Sequence, residues 1–205
     1  VYVHLFCGVG TAVQTDERRG IAHFLEHMLF QGTKKRSAEM IFKEYDRIGT
    51  EFNAYTKKRY TCFFVKCHIE HAQRVLKLLA DVMQNSVIAE KAVKKEASVV
   101  DQENRNRIND YRNIVRTEFD AKVYKNSSFE YAIDDLKYRK KKKITHGVLK
   151  SWYKWFYQPS RMVVSIVSHK PFNYWKELIF STSFVAKSFR EEEPRQPKPS
   201  LLFPM

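Results

Sequence analysis

The order of elements in this 205-residue sequence predicts an α+β fold, an antiparallel or mixed sheet packed against helices. Two observations carry the prediction. Stretches that alternate every second residue are interleaved with stretches of helical period, and they follow no regular strand–helix–strand repeat. Two of the alternating stretches flank the basic turn Lys57-Lys58-Arg59, which predicts an antiparallel hairpin. A hydrophobic fraction of 43% and an aromatic fraction of 14% suffice to bury a core beneath such a sheet, which excludes global disorder.

Taken in order, residues 1–8 read as a strand whose end is loosened by Gly8-Val9-Gly10. Residues 21–30 form an apolar run of helix length, preceded by Gly20 and closed by Gln31-Gly32, glycine being the usual helix stop. Ser37 offers an N-cap for a second helix over 38–48, with Met40, Ile41, Tyr45 and Ile48 on one stripe and Gly49 ending it. Residues 51–56 and 60–68 are the strands of the hairpin. In the second, Tyr60, Cys62, Phe64 and Lys66 alternate with Thr61, Phe63, Val65 and Cys67, and bulky residues on both sides predict a covered sheet. Ala72, Val75, Leu76, Leu79, Ala80 and Met83 have helical spacing over 70–85. A longer helix is predicted over 90–124, a stretch without Gly or Pro, ended by Asn126-Ser127-Ser128. A helix over 145–157, ended by Gln158-Pro159-Ser160, and a strand over 161–168 follow. A last amphipathic segment runs into the charged, Pro-rich stretch 191–199, which reads as a linker. The expected organisation is one domain over 1–190 and a linker over 191–205 leading toward a further part. There is no internal repeat.

No apolar run approaches the roughly 18–20 residues needed to cross a bilayer, and the first ten residues alternate like a strand, unlike a signal peptide. A first residue other than Met suggests a trimmed start, so the compartment stays open. Cys7, Cys62 and Cys67 form no Cys-x-x-Cys pair. An odd, sparse count argues against a disulfide framework and favours a reducing compartment, cytoplasmic or organellar. The three read as small buried apolar residues. A net charge of +14 suits nucleic acid, an acidic membrane or an acidic substrate. Its densest part, Arg139-Lys140-Lys141-Lys142-Lys143, reads as a solvated loop, and no zinc-finger or RNA-recognition signature accompanies it. Nucleic-acid binding is the minor reading.

The chemistry resides in His23-Phe24-Leu25-Glu26-His27. Two histidines four apart on a helix lie one turn apart on one face, where both can reach one ion. Glu26 lies one step round, placed to activate a water without being a ligand. This order reverses the His-Glu-x-x-His zinc protease signature and keeps its logic. The pattern by itself also fits a chance grouping of polar residues. Two histidines are too few for a catalytic zinc, which takes three protein groups and leaves a position for water. Glu96 and Glu103, seven apart and therefore two turns along one helix face, are candidates: Glu103 to close the site, Glu96 to hydrogen-bond a ligand or the water. On spacing alone, ordinary helix-surface charge fits them better, flanked as they are by Lys94, Lys95 and Arg105. His4, His68, His71, His146 and His169 stand outside the pattern and read as structural or surface residues. No Ser or Cys nucleophile has a supporting motif.

The stretch Arg19-Gly20-Ile21-Ala22-His23-Phe24-Leu25-Glu26-His27-Met28-Leu29-Phe30-Gln31-Gly32-Thr33 closely resembles the signature of the pitrilysin, insulinase and mitochondrial processing peptidase family. Three further segments resemble that family in the right order: Ile48-Gly49-Thr50-Glu51-Phe52-Asn53-Ala54-Tyr55-Thr56, its Gly-x-x-x-Asn-Ala-x-Thr strand; Lys95-Glu96-Ala97-Ser98-Val99-Val100-Asp101-Gln102-Glu103, its Glu-x-x-Val-Val-x-x-Glu helix; and Trp155-Phe156-Tyr157-Gln158-Pro159-Ser160-Arg161-Met162, its entry to a late strand. The resemblance runs from about residue 1 to 168. It implies one zinc ion per chain on His23, His27 and Glu103, with Glu26 as general base and Glu96 as a supporting carboxylate. It also implies that Asn53, Ala54 and Thr56 belong to the edge strand that receives an extended peptide. The fold implied is one half of a clamshell of two homologous halves, and the partners implied are a peptide or unfolded-protein substrate and the second half, on the same chain or another.

Three departures from the family pattern stand out. There is no second copy of the fold; the loop before the late helix is the basic run 137–143; and the late strand ends Ile166-Val167-Ser168 where a glycine is common. The function expected is a zinc-dependent metalloendopeptidase. The alternative is a non-catalytic or partner-dependent subunit of a processing complex, a role in which a ligand or the base is usually lost, whereas His23, Glu26, His27 and Glu103 all stand here. Basic presequences would be repelled by a +14 chain, so a peptide-degrading relative of bacterial or organellar type is expected over a presequence processor.

Overall fold

In the computed structural model, which describes residues 1–130, 132–133, 144–182 and 184, the four alternating stretches of the sequence form one antiparallel sheet. Strands β1 (Tyr2–Cys7), β2 (Glu51–Thr56), β3 (Thr61–Lys66) and β4 (Met162–Val167) stand in the order β2-β3-β1-β4. β1 lies inside, with Leu5 opposite Phe63 on one side and Val164 on the other. Among the described residues β2 pairs only with β3 and forms an edge. Period-two alternation sends Val3, Leu5, Cys7, Phe63 and Val65 into the core. The fold is mixed α+β, as the sequence predicts, with seven α-helices among the described residues. The basic block 139–143 and the expected linker 191–205 lie outside those residues.

Helix α1 (Ile21–Leu29) is buried on nearly every side, as an apolar helix held between a sheet and another helix must be. Gly20 enters it in the left-handed conformation (φ 83°). The buried Gln14 side chain accepts the Ala22 N–H at 3.0 Å, which satisfies one of the amides every helix start leaves over. Gly32, at φ +121°, turns the chain away after the helix. Phe30 then packs against Phe42, Phe52 and Phe63, so the end of α1 is seated on an aromatic cluster shared with β2, β3 and α2 (Ala38–Arg47). Ser37 caps α2 as expected, accepting the Met40 N–H. Its buried stripe is narrower than the sequence suggests: Ile41, Tyr45 and Ile48 are buried, but Met40 is 49% exposed, because it lies a quarter-turn off the 41–45–48 line.

Helix α3 (Ala72–Asn85) buries all six residues that predict it. The single helix expected over 90–124 is two: α4 (Glu90–Ile108) and α5 (Tyr111–Val123). Asp110 makes the break. Its carboxylate accepts the Arg112 N–H at 3.0 Å, an N-cap that competes with continuing the helix and requires neither Gly nor Pro. α6 (His146–Phe156), capped by Thr145, and α7 (Phe172–Phe180) complete the helices. Among the described residues, the expectation of a covered sheet holds for one face only. The other carries Tyr2, His4, Phe6, Tyr55 and Phe64, with Val163 and Val167 each 65% exposed. Here bulky residues cover one another: His4 stacks on Phe6 and on Phe64. No helix of the described residues is long and apolar enough to cross a membrane.

The loop after β1 is tied to the hairpin turn, which fixes β2 relative to α1. Thr11 and Ala12 donate their N–H groups to Lys57 O and Lys58 O at 3.1 and 2.8 Å. Gly10 permits this approach, since a Cβ there would sit 2.4 Å from Lys57 O and 2.5 Å from Lys58 O. Gly10→Ala is therefore expected to destabilise the chain by at least ~1–3 kcal/mol, the usual cost of overpacking against backbone. Urea unfolding measures it, and an unchanged midpoint would show that the turn has slack.

Candidate functional site

The site forms where α1 packs against α4. Helical spacing puts His23 and His27 one turn apart on α1, and their rings meet edge to face with centroids 4.7 Å apart. His23 Nε2 and His27 Nε2 are 3.2 Å apart. From α4, Glu103 Oε2 reaches to 3.6 Å from His23 Nε2 and 3.4 Å from His27 Nε2. The two nitrogens and the oxygen thus outline a triangle. Its edges are close to the ~3.3 Å expected between ligand atoms of a tetrahedral zinc with bonds of about 2.0–2.1 Å, so the residues fit the metal. His23 is almost fully buried, while the Glu103 side chain is 42% exposed, so the cluster opens to solvent on the Glu103 side.

The triangle rests on a second carboxylate. Glu96, two turns before Glu103, is buried and lies with Oε1 2.9 Å from His27 Nδ1. Its other oxygen, Oε2, accepts the Gln31 Nε2–H at 2.8 Å. With Nδ1 donating to Glu96, the lone pair of His27 Nε2 is turned to the cluster. Burial alone would lower the His27 pKa; the hydrogen bond to Glu96 and the charges of Glu103, Glu26 and Glu96 outweigh it and raise it.

Glu26 is buried beside the histidines. Its Oε2 accepts the Thr56 hydroxyl at 2.5 Å. Thr56 lies 3.3 Å from the Thr61 hydroxyl, which itself donates to Val9 O at 2.8 Å. Burial pushes the Glu26 carboxyl above its ordinary value; His23, the Thr56 hydrogen bond and His27 pull it back without cancelling the rise. A carboxylate in this state is a stronger base than one in water.

His23, His27 and Glu103 are therefore brought into one cluster, with Glu96 on His27 and Glu26 alongside. Asn53 and Ala54 lie on β2, the edge strand, Asn53 exposed and Ala54 half-buried. The Ala54 N–H donates to Asn53 Oδ1 at 2.8 Å. Thr56, the last residue of the same strand, is buried against Glu26. Sequence reasoning missed Gln31 and Thr61. Gln31 continues the 23–27 spacing by four more residues, a signal that was available. Thr61 is legible only from the register, which sets it opposite Thr56.

Of the other histidines, His4 lies among the sheet aromatics and His68 beside Glu70.

Residues 1–135 match the profile of Insulinase (Peptidase family M16). A Bacillus subtilis protein named uncharacterized zinc protease YmxG is 34% identical over 87% of this chain and 43% of its own length. The beta subunit of the mitochondrial-processing peptidase of Neurospora crassa is 37% identical over 48% of this chain and 21% of its own. A protease from Helicobacter pylori superposes with a TM-score of 0.86 at 25% identity, over 97% of this chain and 47% of that one. The chain spans less than half the length of each of these relatives.

Cysteine chemistry has no place in this site. Cys7, Cys62 and Cys67 are free and buried, and burial pushes all three thiols up, Cys7 the furthest. Inert thiols of this kind are structural. The native chain should react slowly with a thiol-specific reagent and expose three equivalents only on unfolding; a fast native equivalent would contradict the burial.

Proposed function

Because the chain belongs to the insulinase family of peptidases, peptidase family M16, we propose that it is the active-site part of a zinc-dependent metalloendopeptidase that cleaves peptides or unfolded protein segments. The observation that carries this reading is the triangle of His23 Nε2, His27 Nε2 and Glu103 Oε2 with Glu26 beside it. Those three residues would hold one zinc ion per chain, which would supply a Lewis acid to polarise the scissile carbonyl and to make a neighbouring water more acidic.

The rest of the work falls to the chain's own side chains. Glu26 takes the proton of the attacking water and passes it to the leaving amine. Thr56, by holding Oε2, fixes the rotamer in which Glu26 does so. Glu96 holds the His27 ring through Nδ1. An extended peptide adds to the free edge of β2 by main-chain hydrogen bonds, the strand-addition mode, alongside Asn53 and Ala54. β2 then has two tasks, since the strand that receives substrate at Asn53 also carries Thr56 to the base three residues later. A homologous second half, on this chain or a partner, closes the chamber, consistent with a chain that spans 43% of YmxG and 47% of the Helicobacter pylori protease. The positive charge of the chain, +14, favours neutral or acidic peptides over basic ones, and the expected compartment is cytoplasmic or organellar.

In the protein with its second half, Glu26→Gln should keep bound zinc and lose cleavage by about 10²–10⁴-fold, the usual worth of a general acid–base group. His23→Ala and Glu103→Ala should lose zinc as well. Metal analysis beside turnover of a mixed quenched-peptide set separates the two outcomes, and retained cleavage in Glu26→Gln sinks the assignment of the base. Thr56→Val should lower kcat by on the order of 10-fold, the worth of one charged hydrogen bond, with KM and zinc content unchanged, and Thr56→Ser should restore it. A rise in KM alone would return Thr56 to the substrate strand.

A further inference from the structure

We propose that Gln31 is a positioning residue for the metal centre, acting on His27 through Glu96. The inference rests on the reading of the cluster as a zinc site and extends it to a residue that is neither ligand nor base.

Glu96 is 6% exposed, so water cannot be counted on to satisfy its two oxygens. A buried carboxylate keeps one orientation only if its oxygens have donors of their own. Oε1 faces His27 Nδ1 at 2.9 Å and Oε2 accepts from Gln31 Nε2 at 2.8 Å. Held at both ends, the carboxylate cannot turn about its last torsion, which in a free glutamate is broad. Its grip on Nδ1 sets both the tautomer and the plane of the His27 ring, and so the direction in which Nε2 faces His23 and Glu103.

Gln31 is itself launched from a fixed point. It lies two residues beyond Leu29, the last residue of α1, and its backbone N–H closes on Met28 O at 3.2 Å. Gly32 then turns the chain at φ +121°, and Thr33 is anchored through its hydroxyl on Asp81 at 2.8 Å. The spacing 23–27–31 carries one stripe of α1 past the end of the helix, so both metal-facing histidines and the residue that steadies their support share that stripe. The carboxamide also adds a donor without a charge, leaving the balance of imidazoles and carboxylates as it is.

Gln31→Met removes the donor while keeping the length of the side chain. In the 205-residue chain, zinc affinity measured by chelator competition should weaken by on the order of 10-fold, the low end of the range for losing a group that supports a metal ligand. Urea unfolding without metal should be little changed. In a Glu96→Ala background the same substitution should have no further effect on zinc, because Gln31 acts through Glu96. The His27 ring gives a second readout that needs no metal: at alkaline pH, nitrogen NMR should show the Nδ1–H tautomer in the parent chain and a mixture in Gln31→Met. Unchanged zinc affinity with an unchanged tautomer overturns the proposal, as does an equal loss of affinity in the Glu96→Ala background. A parent chain that fails to bind zinc overturns the metal reading instead, and the tautomer then decides on Gln31.

Discussion

The crossing of α1 and α4 brings two imidazoles and three carboxylates together where His23, Glu26 and Glu96 are each almost fully buried, and the rest of the site follows from that constraint. Charged or polar groups taken out of water are costly unless each finds a partner. Glu96 lies between His27 and Gln31, and Glu26 accepts from Thr56. What is left is a triangle of donor atoms facing one another. Two ring nitrogens 3.2 Å apart, with Glu103 Oε2 alongside, are a group that could hold a cation. The crossing is thus both the polar weak point of the core and the place where chemistry is available.

The sheet serves that crossing in a way its helical neighbours do not. β2 is an edge, and its end is fastened to the loop after β1 by the backbone contacts at Gly10, Thr11 and Ala12. That fastening brings Thr56 under α1 and within reach of Glu26. The aromatic seat of Phe30 among Phe42, Phe52 and Phe63 fixes the same relation from the other end of the helix. Helix and edge strand are therefore registered twice, so the Glu26 carboxylate and the edge strand hold one distance.

Most of the element order was legible because local rules agree with the fold. Ser37 caps the helix it was expected to cap, and the spacing of α3 buries all six residues that announced it. Other readings failed where a local signal had two meanings. Asp110 reads as one more polar residue in a long helix until its carboxylate is seen closing on the Arg112 amide. Bulky residues on both sides of the hairpin strands suggested two covered faces, yet one face shields itself by stacking His4 on Phe6 and Phe64. Thr56 shares a strand with Asn53, and only alternation along that strand separates a residue at the open edge from one turned to the core.

By itself the sequence determined which residues could ligate and which could act as base, because four-residue spacing on a helix places two histidines on one face whatever the surroundings. It also determined membership of the family, through four motifs in order. Only the tertiary structure decided that Glu103 completes the triangle while Glu96 stands behind it. Both lie on one face of one helix, and their different roles come from where α1 crosses α4, a relation between segments about seventy residues apart that no local spacing encodes. The same holds for Gln31 and Thr56, whose partners are distant in the chain and are brought to them by packing alone.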